Sequence, residues 1–434
     1  MVNHGGLASP EAVAAWVGWD WAEQRHQLYL YDVQSGQGES YSLESSPEAL
    51  QLWLAQLRQR FGGAPVALVL EQGRGAVISA LLSCEFVILY PVNPQSLANY
   101  RKAYDTSGAK SDSRDAELLQ EMGRHGPHRF RAWKPDDAET RSLQWLTEGR
   151  RQLVDQKTAL TQQLSSRLKT YYPQALELAG ELGGRQACDF LKRWPTLADL
   201  QKARPSQLRQ CYQEQGRPSH QQLEQRLEQI RQARPLTQDP ALLRAGAMMA
   251  QALADQMLSL LAALERFDQE MAALFQQHPD RPLFDCLPGA GKVLAPRLLA
   301  AFGTDRERWQ EAAEVQKLSG IAPVTEPSGH QRWVHWRWAC PKFLRPTFQE
   351  FADRSRHWSD WARAFYQRQR ARGRGHHAAV RALAFKWIRI LFRCWQTRTP
   401  YNEQTYLKAL EKSNSPLVAA IQALPPHQRR RKSA

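Results

Sequence analysis

Apolar positions along the first 125 residues fall in short alternating or continuous blocks, a texture that predicts strands at 13–20, 26–33, 39–43, 65–71 and 86–92. Between them the period lengthens. Pro47–Phe61 places Ala49, Leu50, Leu52, Trp53, Leu54 and Leu57 at helical spacing, and Ser45-Ser46 offers an N-cap. Further helices are expected to start near Gly75, at Pro94–Tyr100 and within KSDSRDAELLQEM. Two hairpin-like strands, a third, then helix–strand–helix–strand make a mixed α/β sheet whose helix-linked strands pair in parallel. From about 136 to 275 the pattern becomes long runs rich in Gln, Leu, Arg and Glu, with apolar residues three and four apart. These predict long helices able to pair as a coiled coil, interrupted at Pro173, Pro195, Pro205, Pro218 and Pro235. From Pro282 onward a mostly α-helical region is expected, opened by Leu287-Pro288-Gly289-Ala290-Gly291. That glycine turn before a helix resembles a helix–hairpin–helix element, whose backbone N–H groups can meet a phosphate. The expected domains are 1–130, a helical spacer and oligomerisation region at 131–280, a C-terminal domain at 281–400, and a helical end with basic tail at 401–434.

Composition narrows the class. Hydrophobic content of 42% and charged content of 23% describe a globular chain. No basic-then-apolar leader opens it and its unbroken apolar runs are short, so a cytoplasmic protein with no membrane partner is expected. The six cysteines contain no CxxC pair, which leaves zinc and disulfide frameworks unsupported. GAGK is not a phosphate-binding P-loop, because the first glycine of that motif is missing. Net charge is +15, and between Gln331 and Pro400 there are 16 Lys and Arg against 3 Asp and Glu, with seven of the 15 tryptophans. Arginine with interleaved aromatics suits phosphate contact and base stacking; the plainer reading is a solvated basic face over an aromatic core. The tail PPHQRRRKSA adds non-specific phosphate affinity.

Four carboxylates carry the chemistry. Asp20 ends the first strand, Glu71 the fourth, and Asp112 and Asp115 stand three apart on one helix face. Acids at the ends of buried strands need a compensating charge, and an all-oxygen set suits Mg²⁺, with Mn²⁺ as an alternative. Placed so, they match what an RNase H-like nuclease core requires. Otherwise Asp112 and Asp115 cap an exposed helix, with Lys110 and Arg114 as salt-bridge partners; in the metal reading those two cations steer phosphate.

The set GWDWA, LVLEQG and KSDSRDAELL resembles the DEDD, RuvC-like domain of insertion-sequence transposases, the bridge-RNA-guided recombinases related to Piv-type DNA invertases. LPGAGKVLAPRLLAAFG, VQKLSGIAPVTEPSGHQR and ARGRGHHAAVRALAFKWIRILF resemble the opening, middle and closing motifs of that family's second domain. The resemblance covers about 12–125 and 282–400, in order. It implies a serine nucleophile at Ser328, on a glycine-flanked loop, that attacks a phosphodiester and forms a phosphoserine link. Ser319 is the nearest competitor, in a more apolar setting. Candidate contacts to nucleic acid are Lys110, Arg114, Gly289, Gly291, Lys292, Arg332, Arg337, Lys342, Arg345, Arg372, Arg374 and Arg381. His330 departs from the family pattern, and the Trp-rich WVHWRWACPKFLR run and the 136–275 helices look particular to a subgroup.

The resemblance therefore implies a transposase that cuts and rejoins donor and target DNA as a dimer or tetramer, guided by a structured non-coding RNA and acting at the nucleoid. Two rivals remain: a metal-dependent nuclease or junction resolvase in which water attacks, and a non-catalytic nucleic-acid-binding protein on a degenerate nuclease fold.

Overall fold

The computed structural model describes residues 13–424 apart from 72–74, 83, 105–110, 217, 330 and 339. The chain divides into two compact units, Met1–Pro135 and Asp136–Ala434.

In the first unit, β1 (Ala15–Asp20), β2 (Arg25–Asp32), β3 (Gly38–Glu44), β4 (Val66–Leu70) and β5 (Val87–Pro91) form one sheet in the order β3-β2-β1-β4-β5. The β1–β2 and β2–β3 pairs are antiparallel, whereas β1–β4 and β4–β5 are parallel. That mixed sheet is compatible with an RNase H-like domain. Helix α1 (Pro47–Arg60) starts where Ser46 Oγ accepts the Ala49 N–H at 3.1 Å. It is followed by α2 (Ala76–Leu81), α3 (Pro94–Tyr104) and α4 (Asp112–His125). Alternation sorts β1 into two faces. Ala15, Val17 and Trp19 pack with Trp53, Leu54 and Leu57 of α1 and with Val77 and Ile78 of α2. Trp16, with Ala67 and Val69 of β4, packs against Leu118, Leu119 and Met122 of α4. Burial on both faces is why β1 and β4 read as nearly continuous apolar blocks.

The second unit is helical: α5 (Ala138–Tyr171), α6 (Ala175–Leu178), α7 (Arg185–Arg193), α8 (Leu197–Gln201), α9 (Pro205–Gly216), α10 (His220–Gln232), α11 (Pro240–Gln277), α12 (Arg281–Asp285), α13 (Gly291–Phe302) and α14 (Ala312–Leu318). A two-stranded hairpin of β6 (Val324–Ser328) and β7 (Gln331–His335) interrupts them, before α15 (Leu344–Ser355), α16 (Asp360–Ala371), α17 (His376–Thr397), α18 (Glu403–Lys412) and α19 (Leu417–Gln422). The two long helices run antiparallel, with Gly149 against Phe267 at one end and Gly246 against Tyr171 at the other. By length and composition α11 could cross a membrane; here it packs on α5 and α7, and its Asp255 pairs with Lys192 at 2.6 Å. Two cores result. One joins the far half of α5 to α7–α10 and the start of α11. The other surrounds Phe302, Phe348, Phe351, Trp361, Trp387 and Trp395, and holds the C-terminal helices together.

Candidate active site

The parallel register sets where two of the expected acids stand. Trp19 pairs with Leu70, so Asp20 and Glu71, one residue further along each strand, stand side by side at the C-terminal edge of the sheet. Helix α4 reaches the same edge from above. Its Ala116 and Gln120 backbone touches Gly18, whereas Gly123 packs on Val69 and Trp16, so the helix runs antiparallel to β1. Its first turn, with Asp112 and Asp115, therefore lies at the end where Asp20 and Glu71 sit. Ser111 caps that turn, Oγ accepting the Arg114 N–H at 3.2 Å, and the exposed N–H groups there favour negative charge.

The four acids differ in setting. Asp112 is exposed, and Asp20 and Glu71 are half-buried. Asp115 is 2% exposed, and Arg101 of α3 grips it with a two-point fork, Nε to Oδ1 at 2.7 Å and Nη2 to Oδ2 at 2.5 Å. Arg114 pairs with Glu117 at 2.6 Å. Lys110 lies outside the described residues. An all-oxygen set at the ends of adjacent strands fits Mg²⁺ by donor chemistry. Among the described residues, however, no three such side chains are drawn together into a group that could hold a metal. Arg101 is part of the reason, since it gives Asp115 the positive charge a metal would give.

Ser328 is the last residue of β6, exposed at the turn of the hairpin, where Gly329 takes the left-handed φ of 57° that a tight hairpin turn requires. Ser319, by contrast, is fully buried at the end of α14 with its hydroxyl donated to the Gln316 carbonyl at 3.3 Å, which removes it as a nucleophile. Beyond the hairpin, half-buried Trp336 has two guanidinium groups over its ring, Arg345 at 4.6 Å and Arg381 at 4.5 Å from the ring centre. Arg345 also donates to the Arg337 carbonyl and to Cys340 Sγ, and Arg337 Nε donates to the Ala322 carbonyl at 3.3 Å. Burial, and then the neighbouring Arg345 and Arg374 guanidiniums, hold Arg381 below its ordinary pKa. Such a group gains from an added anion. Lys342, Arg372 and Arg374 are exposed, and the side chain of Arg332 is outside the described set.

The expected glycine turn joins α12 to α13, with Gly289 at φ 78° and Gly291 at φ 57°. Gly289 is packed shut: a Cβ there would meet Trp358 at 2.6 Å and the Arg354 carbonyl at 3.2 Å. Gly291 and Lys292 are exposed and remain open to a phosphate. Sequence reasoning missed Arg101, whose role depends on how α3 meets α4, and it missed the hairpin. The signal for the hairpin was present in WVHWRW, an alternating run just after a Ser-Gly turn.

Comparison with known proteins gives two family matches along the chain. Residues 17–173 match the DEDD transposase family of IS110 elements, and residues 282–367 match the transposase family of IS116, IS110 and IS902. A Streptomyces coelicolor protein named as the candidate mini-circle transposase of IS117 is 28% identical over 402 residues, covering 91% of this chain and 97% of its own. A 43.6 kDa protein of insertion element IS110 from the same species is 26% identical over 304 residues, 68% of this chain and 73% of its own. A 42 kDa protein of IS900 from Mycobacterium paratuberculosis is 26% identical over 160 residues, 35% of this chain and 39% of its own.

Proposed function

We propose that this chain, which belongs to the IS110/IS116 family of transposases, breaks and rejoins DNA strands through Ser328. The observation that carries this reading is the exposed serine at a glycine turn, followed in the chain by a guanidinium cluster that an anion would relieve. In the step itself the Ser328 hydroxyl gives its proton to water as Oγ attacks the phosphorus. The P–O bond to the strand's sugar breaks, the sugar oxygen leaves as a hydroxyl by taking a proton from water, and the phosphoserine ester keeps the bond energy for rejoining. Arg337, Lys342, Arg345 and Arg381 supply positive charge for the non-bridging oxygens. Asp20, Glu71, Asp112 and, once released by Arg101, Asp115 would hold Mg²⁺ or Mn²⁺, which supplies Lewis-acid stabilisation of charge on the phosphate.

Trapping a covalent protein–DNA adduct tests the nucleophile. The parent chain is expected to form it, and Ser328→Ala to lose both adduct and strand joining by at least about 10³-fold. Normal joining by Ser328→Ala would end the serine mechanism. Two observations favour a second reading: Asp20 and Glu71 end neighbouring parallel strands, and the N-terminal match is to a DEDD family. In that reading a metal-bound water is the nucleophile, no adduct forms, and Asp20→Asn stops cleavage while Ser328→Ala does not. A non-catalytic binding protein predicts that neither change alters any strand-breaking activity.

The partners proposed are donor and target DNA, a structured non-coding guide RNA, and a second copy of the chain in a dimer or tetramer. The charge of +15 supports nucleic-acid partners, and the exposed Leu242, Met248 and Met249 of α11 support self-association. Sequencing RNA that co-purifies with the protein checks the guide; a band mapping beside the gene supports it, and absence of RNA returns the family's RNA-free reading.

A further inference from the structure

Five of the seven tryptophans between Gln331 and Pro400 fall into two clear sets. Trp361, Trp387 and Trp395 are fully buried, and their ring nitrogens donate to Tyr401 Oη, Ser355 Oγ and the Gly303 carbonyl. They are core. Trp333 and Trp338 are 58% and 82% exposed, an arrangement that burial does not explain.

Trp333 has a defined relation to Ser328. The hairpin register pairs Ser328 with Gln331 and Glu326 with Trp333, so all four stand on one face of the ribbon. Trp333 is the diagonal neighbour of Ser328, about 7–8 Å away at that spacing. Its ring nitrogen donates to Gln331 Oε1 at 3.3 Å, which steadies the indole along the ribbon. The one acid on this face, Glu326, is engaged by His335 at 3.3 Å. No Asp or Glu occurs from Gln331 to Gln349, a stretch that holds Arg332, Arg337, Lys342 and Arg345. A flat, exposed aromatic ring in a segment that carries Lys and Arg and no acid from Gln331 to Gln349 is complementary to a base on a phosphate backbone. It is a poor match for a protein surface, where the cations would need acids, or for a second copy of this basic chain.

We propose that Trp333 is a base-stacking residue, holding the nucleobase of an unpaired DNA nucleotide that flanks the phosphodiester at Ser328. The inference rests on the reading of Ser328 as the strand-taking residue, and it deepens it by naming what the site requires: DNA unstacked at the point of exchange. Stacking on Trp333 would fix the neighbouring phosphate within reach of the hydroxyl, so Trp333 is a positioning residue.

Binding needs no chemistry, so it is tested independently of Ser328. The probe is a fluorescein-labelled dT20 strand, with a matched strand whose central nucleotides are abasic and with rU20, all at one fixed salt concentration. Trp333→Ala is expected to weaken dT20 binding about tenfold and Trp333→Phe by less than about threefold. Neither change should alter binding of the abasic strand, which keeps its phosphates. An unaltered dT20 affinity in Trp333→Ala overturns the proposal, as does an equal loss on the abasic strand. Tighter rU20 than dT20 binding in the parent chain, or a changed sedimentation coefficient in Trp333→Ala without DNA, assigns the ring to RNA or to self-association and also overturns it. Because Trp333 is exposed on a hairpin, the variant should keep the parent's thermal midpoint. If it does not, Trp333→Phe is compared with Trp333→Leu: dT20 binding retained by the aromatic ring and lost with the aliphatic one supports stacking, and equal binding by both overturns it.

Discussion

The acid-bearing edge of the sheet and the serine-bearing hairpin are built on opposite principles. At the sheet edge, two parallel strands and a helix lying on them set where the carboxylates stand, and Asp115 is buried and already ion-paired. The hairpin has two strands of five residues with mostly exposed side chains and a single glycine turn. A two-stranded ribbon of this kind is only marginally stable by itself. The expected acids are therefore positioned by the core, whereas the expected serine is presented on a mostly exposed ribbon. Changes at the sheet edge should be read in folding stability, and changes at the hairpin in function.

The sharpest way to break that contrast is at Arg101. Replacing it with methionine leaves Asp115 buried without its partner, at an expected cost of about 3–5 kcal/mol in chemical denaturation. The double variant Arg101→Met/Asp115→Leu should recover most of the loss, because it removes both charges. Millimolar Mg²⁺ should stabilise the single variant more than the parent, since a cation that binds the folded state at the vacated carboxylate shifts folding by mass action. A single variant as stable as the parent, with or without Mg²⁺, would show that the edge is not organised around Asp115.

Gly18→Ala is expected to cost somewhat less, about 3 kcal/mol, at the upper end of overpacking penalties. Its methyl would lie 1.8 Å from the Ala116 carbonyl oxygen and 2.6 Å from the Gln120 nitrogen. Both are backbone atoms of α4, so the whole helix must lift from β1 and carry Asp112 and Asp115 away from Asp20 and Glu71. The thermal midpoint should fall, and metal-dependent cleavage should fall with it. The dT20 affinity of the hairpin should hold. Equal loss of both would mean the two regions are not separable.

Much of this division was legible in the residues. The five strands were expected at 13–20, 26–33, 39–43, 65–71 and 86–92 and occur at 15–20, 25–32, 38–44, 66–70 and 87–91, because blocks buried on one or both sheet faces announce their period. The Ser46 cap and the long helices α5, α10 and α11 were legible for similar local reasons. Placing α4 antiparallel to β1 was not, since it depends on Gly18 allowing backbone to meet backbone across 98 residues of chain. The fork from Arg101 to Asp115 spans two helices that no local pattern relates. In the C-terminal region the seven tryptophans looked alike in sequence, yet three are core and Trp336 lies under two arginines. Composition reports that aromatic and basic residues are concentrated there; only tertiary packing separates those that hold the fold from those left on its surface.

The smallest effect on stability, and the most informative about the hairpin, is expected at Gly329. Its φ of 57° lies in the left-handed region, where an alanine costs about 1 kcal/mol, and a Cβ there would meet nothing within 4 Å. Gly329→Ala should therefore shift the denaturation midpoint very little, because the strain is local and the hairpin is peripheral to both cores of its unit. Strand joining should suffer more. The residue sets the turn immediately after Ser328, and a change in its backbone angle rotates the hydroxyl away from the face that Trp333 shares. An asparagine, which tolerates the left-handed region better than alanine, should recover part of the activity. If Gly329→Ala lowered stability as much as Gly18→Ala, the hairpin would be part of the folded core. If it left joining untouched, the turn would have no bearing on the serine. The contrast between the two regions requires a small loss of stability and a large loss of joining in the same variant.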